Sequence, residues 1–242
     1  MNTKEVTPAI SSRTVDVLRK MNHDLRNPLN SLLATTDMLE EGVYESLTDQ
    51  QLKAVQRVER SAKRVLTVLD YTVDYLKADS GGYPLATSEF DPRALVAGIK
   101  AECQPIADAQ QIVVSTTTTD TVPRTIIGDE SVLRQIILEL VWNAISFSPP
   151  STVEIISDWS HEWVVTVKDV GPGIPAAARP GLFEPFRRGK VVGTHVPTSG
   201  SGLGLAMSEA FARLMRGRLV FEENGDKGSS FTLCLPLGIG PQ

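Results

Sequence analysis

Apolar residues recur at helical spacing through the first third of the chain. Leu18, Leu25, Leu29, Leu32 and Leu39 fall on one stripe, with Asn22 and Thr36 filling its alternation of threes and fours. A second stripe follows at Leu52, Val55, Ala62, Leu66, Leu69, Val73 and Leu76, with Glu59 as its charged break. That period predicts two long helices between Pro8 and Asp79, each with an apolar seam. The segment EGVYESLTD divides them. Gly42 suits the end of the first helix, and Thr48 with Gln51 suits a capping box at the start of the second. Two such helices cannot bury their stripes alone, so the pattern predicts a homodimer that closes a four-helix bundle.

Beyond Asp79 the pattern changes. KADSGGYPLATSEFDP reads as a linker, and helices and strands then alternate. PRALVAGIKAECQPIADAQ reads as a helix, and QIVVSTT and RTIIGD as strands. DESVLRQIILELVWNAISFS is an amphipathic helix capped by Asp129, and TVEIISDW and EWVVTVKDV form a strand pair. SGLGLAMSEAFARLMRG is a helix closed by Gly217, and GRLVFEEN and GSSFTLCLP form a last hairpin around GDKG. The expected class is α+β and multidomain. A helical hairpin occupies residues 1–80, a linker 81–89, and an α/β sandwich with a mixed, mostly antiparallel sheet 90–242.

Composition narrows the function classes. The 242 residues carry a formal charge of −5, which argues against a nucleic-acid binder. Two cysteines, Cys103 and Cys234, lie far apart without metal-ligand spacing and read as reduced, buried thiols. No apolar run approaches the roughly 20 residues that cross a bilayer, and the N-terminus lacks a signal-peptide core. A cytoplasmic chain without direct membrane insertion is expected, attached to or served by a sensor outside it.

Three polar stretches carry candidate chemistry. MNHDLRNPLNSLL sets His23 beside Asp24 and places Pro28 inside a helical pattern, where it cannot donate to the carbonyl of Asp24. Asn27 lies four residues from His23, on the same face. DVGPGI ends a strand at Asp169, whose carboxylate suits an adenine amino group. SGSGLGLA leads into a helix, where unobstructed backbone N–H groups suit phosphate. Neither cluster is a Walker loop, since no Gly-Lys-Ser/Thr follows.

Taken in order, these motifs resemble those of sensor histidine kinases, whose ATP-binding domain is shared with gyrase. MNHDLRNPL resembles the H-box, ELVWNAISFSP the N-box, DVGPGI the G1 box, LFEPFRRG the F-box, SGSGLGLA the G2 box and GSSFTL the last glycine box. The resemblance spans Val15 to Pro236. It implies that His23 takes the γ-phosphoryl group of ATP, that Asp24 fixes its tautomer, and that Asn27 serves dephosphorylation of a partner aspartate. It implies Mg²⁺ at Asn143 and adenine at Asp169, with Gly171, Gly173, Gly200, Gly202, Leu203 and Gly204 along the nucleotide. Arg187, Arg188 and Lys190 would neutralise phosphate from a lid over residues 175–199, which Phe183 and Phe186 pin to the core. His161 and His195 read as bystanders, and Trp142 as core packing. The implied partners are a second copy, a response-regulator receiver domain and an upstream sensor.

Two positions depart from the family pattern. Glu139 stands where asparagine is usual, and Ser146 where lysine is frequent. Glu139 lies one helical turn before Asn143, placed to act as a base or as an outer Mg²⁺ ligand. Two alternatives therefore stay open: a catalytically weak relative acting as a phosphotransfer scaffold, and a gyrase-type ATPase.

Overall fold

The computed structural model describes residues 12–187, 201–225 and 228–240, with side chains from residue 20 onward. Two compact units divide between Gly82 and Tyr83. The first is an antiparallel hairpin of α1 (Ser12–Glu40) and α2 (Asp49–Asp79). Gly42 closes α1 with φ +71°, in a paired arrangement of Val43 N to Met38 O and Gly42 N to Leu39 O. Thr48 and Gln51 form the predicted capping box of α2.

The α1 seam differs from the predicted one. Leu29, Leu33, Thr36 and Leu39 are turned at least partly inward, whereas Leu25 and Leu32 are 43% and 39% exposed. The apolar band of α1 is wider than the face that α2 covers, so part of it stays outside the hairpin. The sequence pattern merged both faces into one.

The second unit places three helices on a five-stranded sheet. The helices are α3 (Pro92–Ala109), α4 (Glu130–Phe147) and α5 (Gly204–Leu214). The sheet comprises β2 (Val113–Thr118), β4 (Thr152–Trp159), β5 (Trp163–Lys168), β6 (Arg218–Glu223) and β7 (Ser229–Leu235), in the order β2-β4-β5-β7-β6. Only the β2–β4 pair is parallel, so the sheet is mixed and mostly antiparallel, as predicted. Strict alternation buries Trp163, Val165 and Val167 of β5 against the helices. A second small sheet joins β1 (Ser88–Phe90), β3 (Ile126–Gly128) and β8 (Gly238–Ile239).

Much of the stretch predicted as a linker belongs to this unit. Tyr83 packs edge-on to Phe211 at 4.8 Å between ring centres, Ala86 N donates to Asp129 Oδ2, and Ser88–Phe90 is β1. At the end of α5 the left-handed residue is Arg216, φ +60°, rather than the predicted Gly217. Gly217 is required for another reason: a Cβ there would collide with the carbonyl of Cys234 on β7. Both cysteines are free and buried.

Candidate functional site

On the first unit, α1 runs unbroken through Pro28 and carries the H-box on its exposed side. The His23 side chain is 75% exposed, and its Nδ1 stands 3.5 Å from Asp24 Oδ1. That is the outer limit of a hydrogen bond and sets Nδ1 as the nitrogen facing the acid. Nε2 is left for chemistry. Asn27 is exposed, one turn beyond. An acidic residue on α2 joins this site: Arg26 Nη2 donates to both carboxylate oxygens of Asp70 at 2.7 Å.

On the second unit, α4, the turn after β5 and the start of α5 build a cradle. Asp129 caps α4, accepting from Ser131 N and Val132 N, both at 3.1 Å. One face of that helix then presents Glu139 and Asn143. Asn143 Nδ2 donates to Glu139 Oε1 at 3.1 Å, which turns the amide oxygen Oδ1 away from the acid. Burial pushes the Glu139 carboxyl up, and the Asn143 bond only partly offsets this. Gly204, first residue of α5, lies against that carboxylate so closely that any Cβ would collide with it. A side chain at Gly204 would have to displace the Glu139 carboxylate from its bond with Asn143.

Asp169 leaves the end of β5 and is 5% exposed. Its Oδ1 accepts from Gly171 N at 2.8 Å and Ser229 N at 3.0 Å. Its carbonyl accepts from Asn224 Nδ2 at 2.7 Å. The second carboxylate oxygen stays outside these amide bonds. Burial pushes the Asp169 carboxyl up, against the pull of the Gly171 and Ser229 bonds. Gly171 sits between Asp169 and the last carbonyl of α4, and Gly173 takes φ +72° in the same turn. Nearby Ser148, which follows α4, holds the buried hydroxyl that lacks a partner among the described residues.

The F-box and G2 box are locked together. Phe186 N donates to Gly202 O at 2.9 Å; Gly202 takes φ +74°, and a Cβ there would press on the backbone of Phe186 and Arg187. The pin is made by backbone: the Phe186 ring is 60% exposed, and the half-buried Phe183 lies three residues before it. Leu203 is fully buried, so its side chain serves the core and only its backbone faces the α5 start. Arg187 Nη1 donates to Glu184 Oε2 at 2.7 Å. Arg188, Lys190, His195 and Gly200 lie outside the described residues. Trp142, predicted as core, is 46% exposed, because α4 turns its Leu140 and Val141 to the interior instead. His161 sits in the turn between β4 and β5.

Thr48, Asp91 and Asp129 cap α2, α3 and α4 with side-chain bonds, whereas α5 begins at Leu203 with none. That start lies beside the Glu139 carboxylate, and just before it Leu203 N donates to Ser201 Oγ at 3.3 Å. Among the described residues no group of three or more His, Cys, Asp or Glu side chains gathers to hold a metal. The Asn143 amide oxygen, turned away from Glu139, is a hard donor that fits an ion keeping most of its waters, with Glu139 left to an outer role.

Comparison with known proteins assigns a family domain to each unit. Residues 15–81 match the His Kinase A (phospho-acceptor) domain. Residues 128–239 match the histidine kinase-, DNA gyrase B- and HSP90-like ATPase family. The chain belongs to the sensor histidine kinases. It is 30% identical over 230 residues to the sensory/regulatory protein RpfC of Xanthomonas campestris pv. campestris, covering 92% of this chain and 31% of that protein. It is likewise 30% identical over 225 residues to the sensor protein TorS of Escherichia coli K12, covering 92% of this chain and 24% of that one. This histidine kinase chain thus spans under a third of the length of those relatives. Full-length ShkA in complex with AMPPNP superposes with a TM-score of 0.81 at 25% identity, over 94% of this chain and 47% of that one. No helix among the described residues of the kinase is long and apolar enough to cross a membrane.

Asp70, Ser229, Asn224 and Ser148 were not singled out by sequence. Asp70 looks like one more surface acid on an amphipathic helix. Ser229 stands inside the last glycine box, so the signal was adjacent, but the glycine drew the reading.

Proposed function

We propose that this chain transfers the γ-phosphoryl group of ATP to His23 and then to an aspartate of a receiver domain. The observation that carries the reading is an exposed His23 whose Nδ1 faces Asp24, in a chain that also holds a glycine helix start against Glu139 and a buried Asp169. Asp169 holds the adenine amino group through its second carboxylate oxygen. The start of α5 and the backbone of Gly202, Leu203 and Gly204 receive the phosphates, with Gly171 and Gly173 letting the turn approach the base. Asn143, with Glu139 as an outer ligand, would hold Mg²⁺, and the ion would supply charge that neutralises the phosphates. Arg187 lends charge from the edge of the lid, as do Arg188 and Lys190.

His23 reacts as neutral imidazole. The Nε2 lone pair attacks the γ-phosphorus, the bond to the bridging oxygen breaks, and ADP leaves with that electron pair. The proton on Nδ1 passes toward Asp24, leaving a neutral ring that carries the anionic phosphoryl group on Nε2. In the next step the P–N bond breaks as a receiver carboxylate takes the phosphoryl group. Asn27, one turn from His23, positions water for the reverse loss of phosphate from that aspartate. A homodimer formed through α1 and α2 carries the reaction.

A second reading has one observation behind it. Half-buried Glu139, with its carboxyl pushed up, is placed as a base for water, which fits ATP hydrolysis of the gyrase type. Incubation with γ-labelled ATP and Mg²⁺ separates the two. Acid-labile, alkali-stable label on the chain, absent from His23→Ala, is the expected result. Phosphate release with no label on either chain contradicts the kinase reading.

A further inference from the structure

The segment that carries His23 is weakened by its own sequence. Pro28 has no N–H for the carbonyl of Asp24, so the helical ladder opens one residue past the phosphoacceptor. An open turn on a half-solvated helix rotates and bends more freely. Among the described residues the hydrogen-bond partner of His23 is Asp24, its own neighbour, which does not tie it to α2.

The bracing comes from α2. Arg26 Nη2 donates to Asp70 Oδ1 and Oδ2, both at 2.7 Å. Asn22 Nδ2 donates to Leu69 O at 3.2 Å and reaches Asp70 Oδ1 at 3.5 Å. Asn22 and Arg26 are four residues apart, hence one above the other on α1. His23 lies about 100° round the helix from Asn22. Fixing residues 22 and 26 against one point of α2 therefore fixes the direction in which His23 leaves the helix. The ion pair is half exposed, at 50% for Arg26 and 37% for Asp70, so its worth to global stability is small. Its worth to orientation is not limited in that way.

We propose that Asp70 is a positioning residue for the phosphoacceptor: with Arg26 and Asn22 it clamps the turn that Pro28 loosens and sets the azimuth of His23. It acts through the helix and touches neither ATP nor the transferred group. The proposal rests on the kinase reading of His23.

The test uses two phosphodonors on the full chain and on Asp70→Ala and Asp70→Asn. ATP reaches His23 only through the chain's own nucleotide site, so its reaction depends on the direction of the ring. Phosphoramidate delivers its phosphoryl group from solution, with ammonia leaving as the P–N bond to His23 forms, so it tests accessibility alone. Asp70→Ala is expected to label from ATP about ten- to a hundredfold more slowly, while phosphoramidate labels both chains at one rate. Asp70→Asn, which keeps the shape and one acceptor for Arg26, falls between. ATP labelling unchanged in Asp70→Ala overturns the clamp. So does an equal fall with both donors, since that means lost helix rather than lost direction. A wild-type chain that takes label from phosphoramidate but none from ATP overturns the kinase reading, and the clamp with it.

Discussion

Two carboxyls, the buried Asp169 and the half-buried Glu139, carry most of the chemistry of the second unit, and each has a testable cost. Asp169 is held above the ordinary carboxylate range by burial, against bonds from Gly171 and Ser229. Its folded form binds a proton more readily than its unfolded form. Its effect on stability is therefore least unfavourable at low pH, and stability falls as pH rises from the ordinary value through the raised one. Glu139 acts in the same direction. Asp169→Asn removes part of this slope, so melting curves of the nucleotide-free chain across mildly acidic pH should flatten in the variant. The same substitution should weaken ATP binding at least about tenfold, since an amide nitrogen facing an adenine amino group leaves a buried donor unpaired. Unchanged affinity removes Asp169 from the nucleotide site. At this scale the sequence was informative where a residue type is rare in its context, as with Asp169 before a glycine turn. It was silent where the partner comes from another element, as with Asn224 and Ser229 on Asp169, or Asp70 on Arg26.

Elements were legible in proportion to their length and period. The 18 residues of α4 and the alternation of β5 stand out because each repeats its pattern several times. The strands β1 and β8, of three and two residues, repeat nothing and are defined only by pairing with β3. For the same reason the linker was drawn too long: Tyr83 and Ala86 carry turn-like neighbours, and only Phe211 and Asp129 reveal where they pack. Asp129 shows how one residue sets an element. Burial would raise its carboxyl, but bonds from Ser131, Ala86 and Val132 outweigh this and hold it below the ordinary value. That stabilisation is present above the ordinary carboxylate value and lost as pH falls through the lowered one. Asp129→Ala should destabilise the second unit by about 1–2 kcal/mol at neutral pH, read as a lower urea midpoint. The deficit relative to the parent should shrink on acidification; a constant deficit contradicts the role of the charged cap.

At the scale of the molecule, the first unit leaves an apolar face uncovered. Met21, Leu25, Leu32, Met38, Val58 and Val65 are all at least 38% exposed in one copy. A face of this kind on two amphipathic helices suits a second hairpin. Leu25→Glu with Leu32→Glu should turn a dimer into a monomer by sedimentation, and a parent chain already monomeric contradicts the bundle. Domain order, sheet character and the nucleotide motifs were all readable from the chain, because each is written in local pattern. The exposure of Trp142 and the two-sided band of α1 were not, because both depend on which neighbours a helix meets. The central claim is that phosphate from ATP ends on nitrogen at His23, and locating it tests this most directly. After incubation with Mg²⁺ and ATP, heteronuclear magnetic resonance of the histidine rings should show phosphorus bonded to Nε2 of His23 alone. Free phosphate accumulating while all ring nitrogens stay unmodified would contradict the account and leave hydrolysis driven by Glu139 in its place.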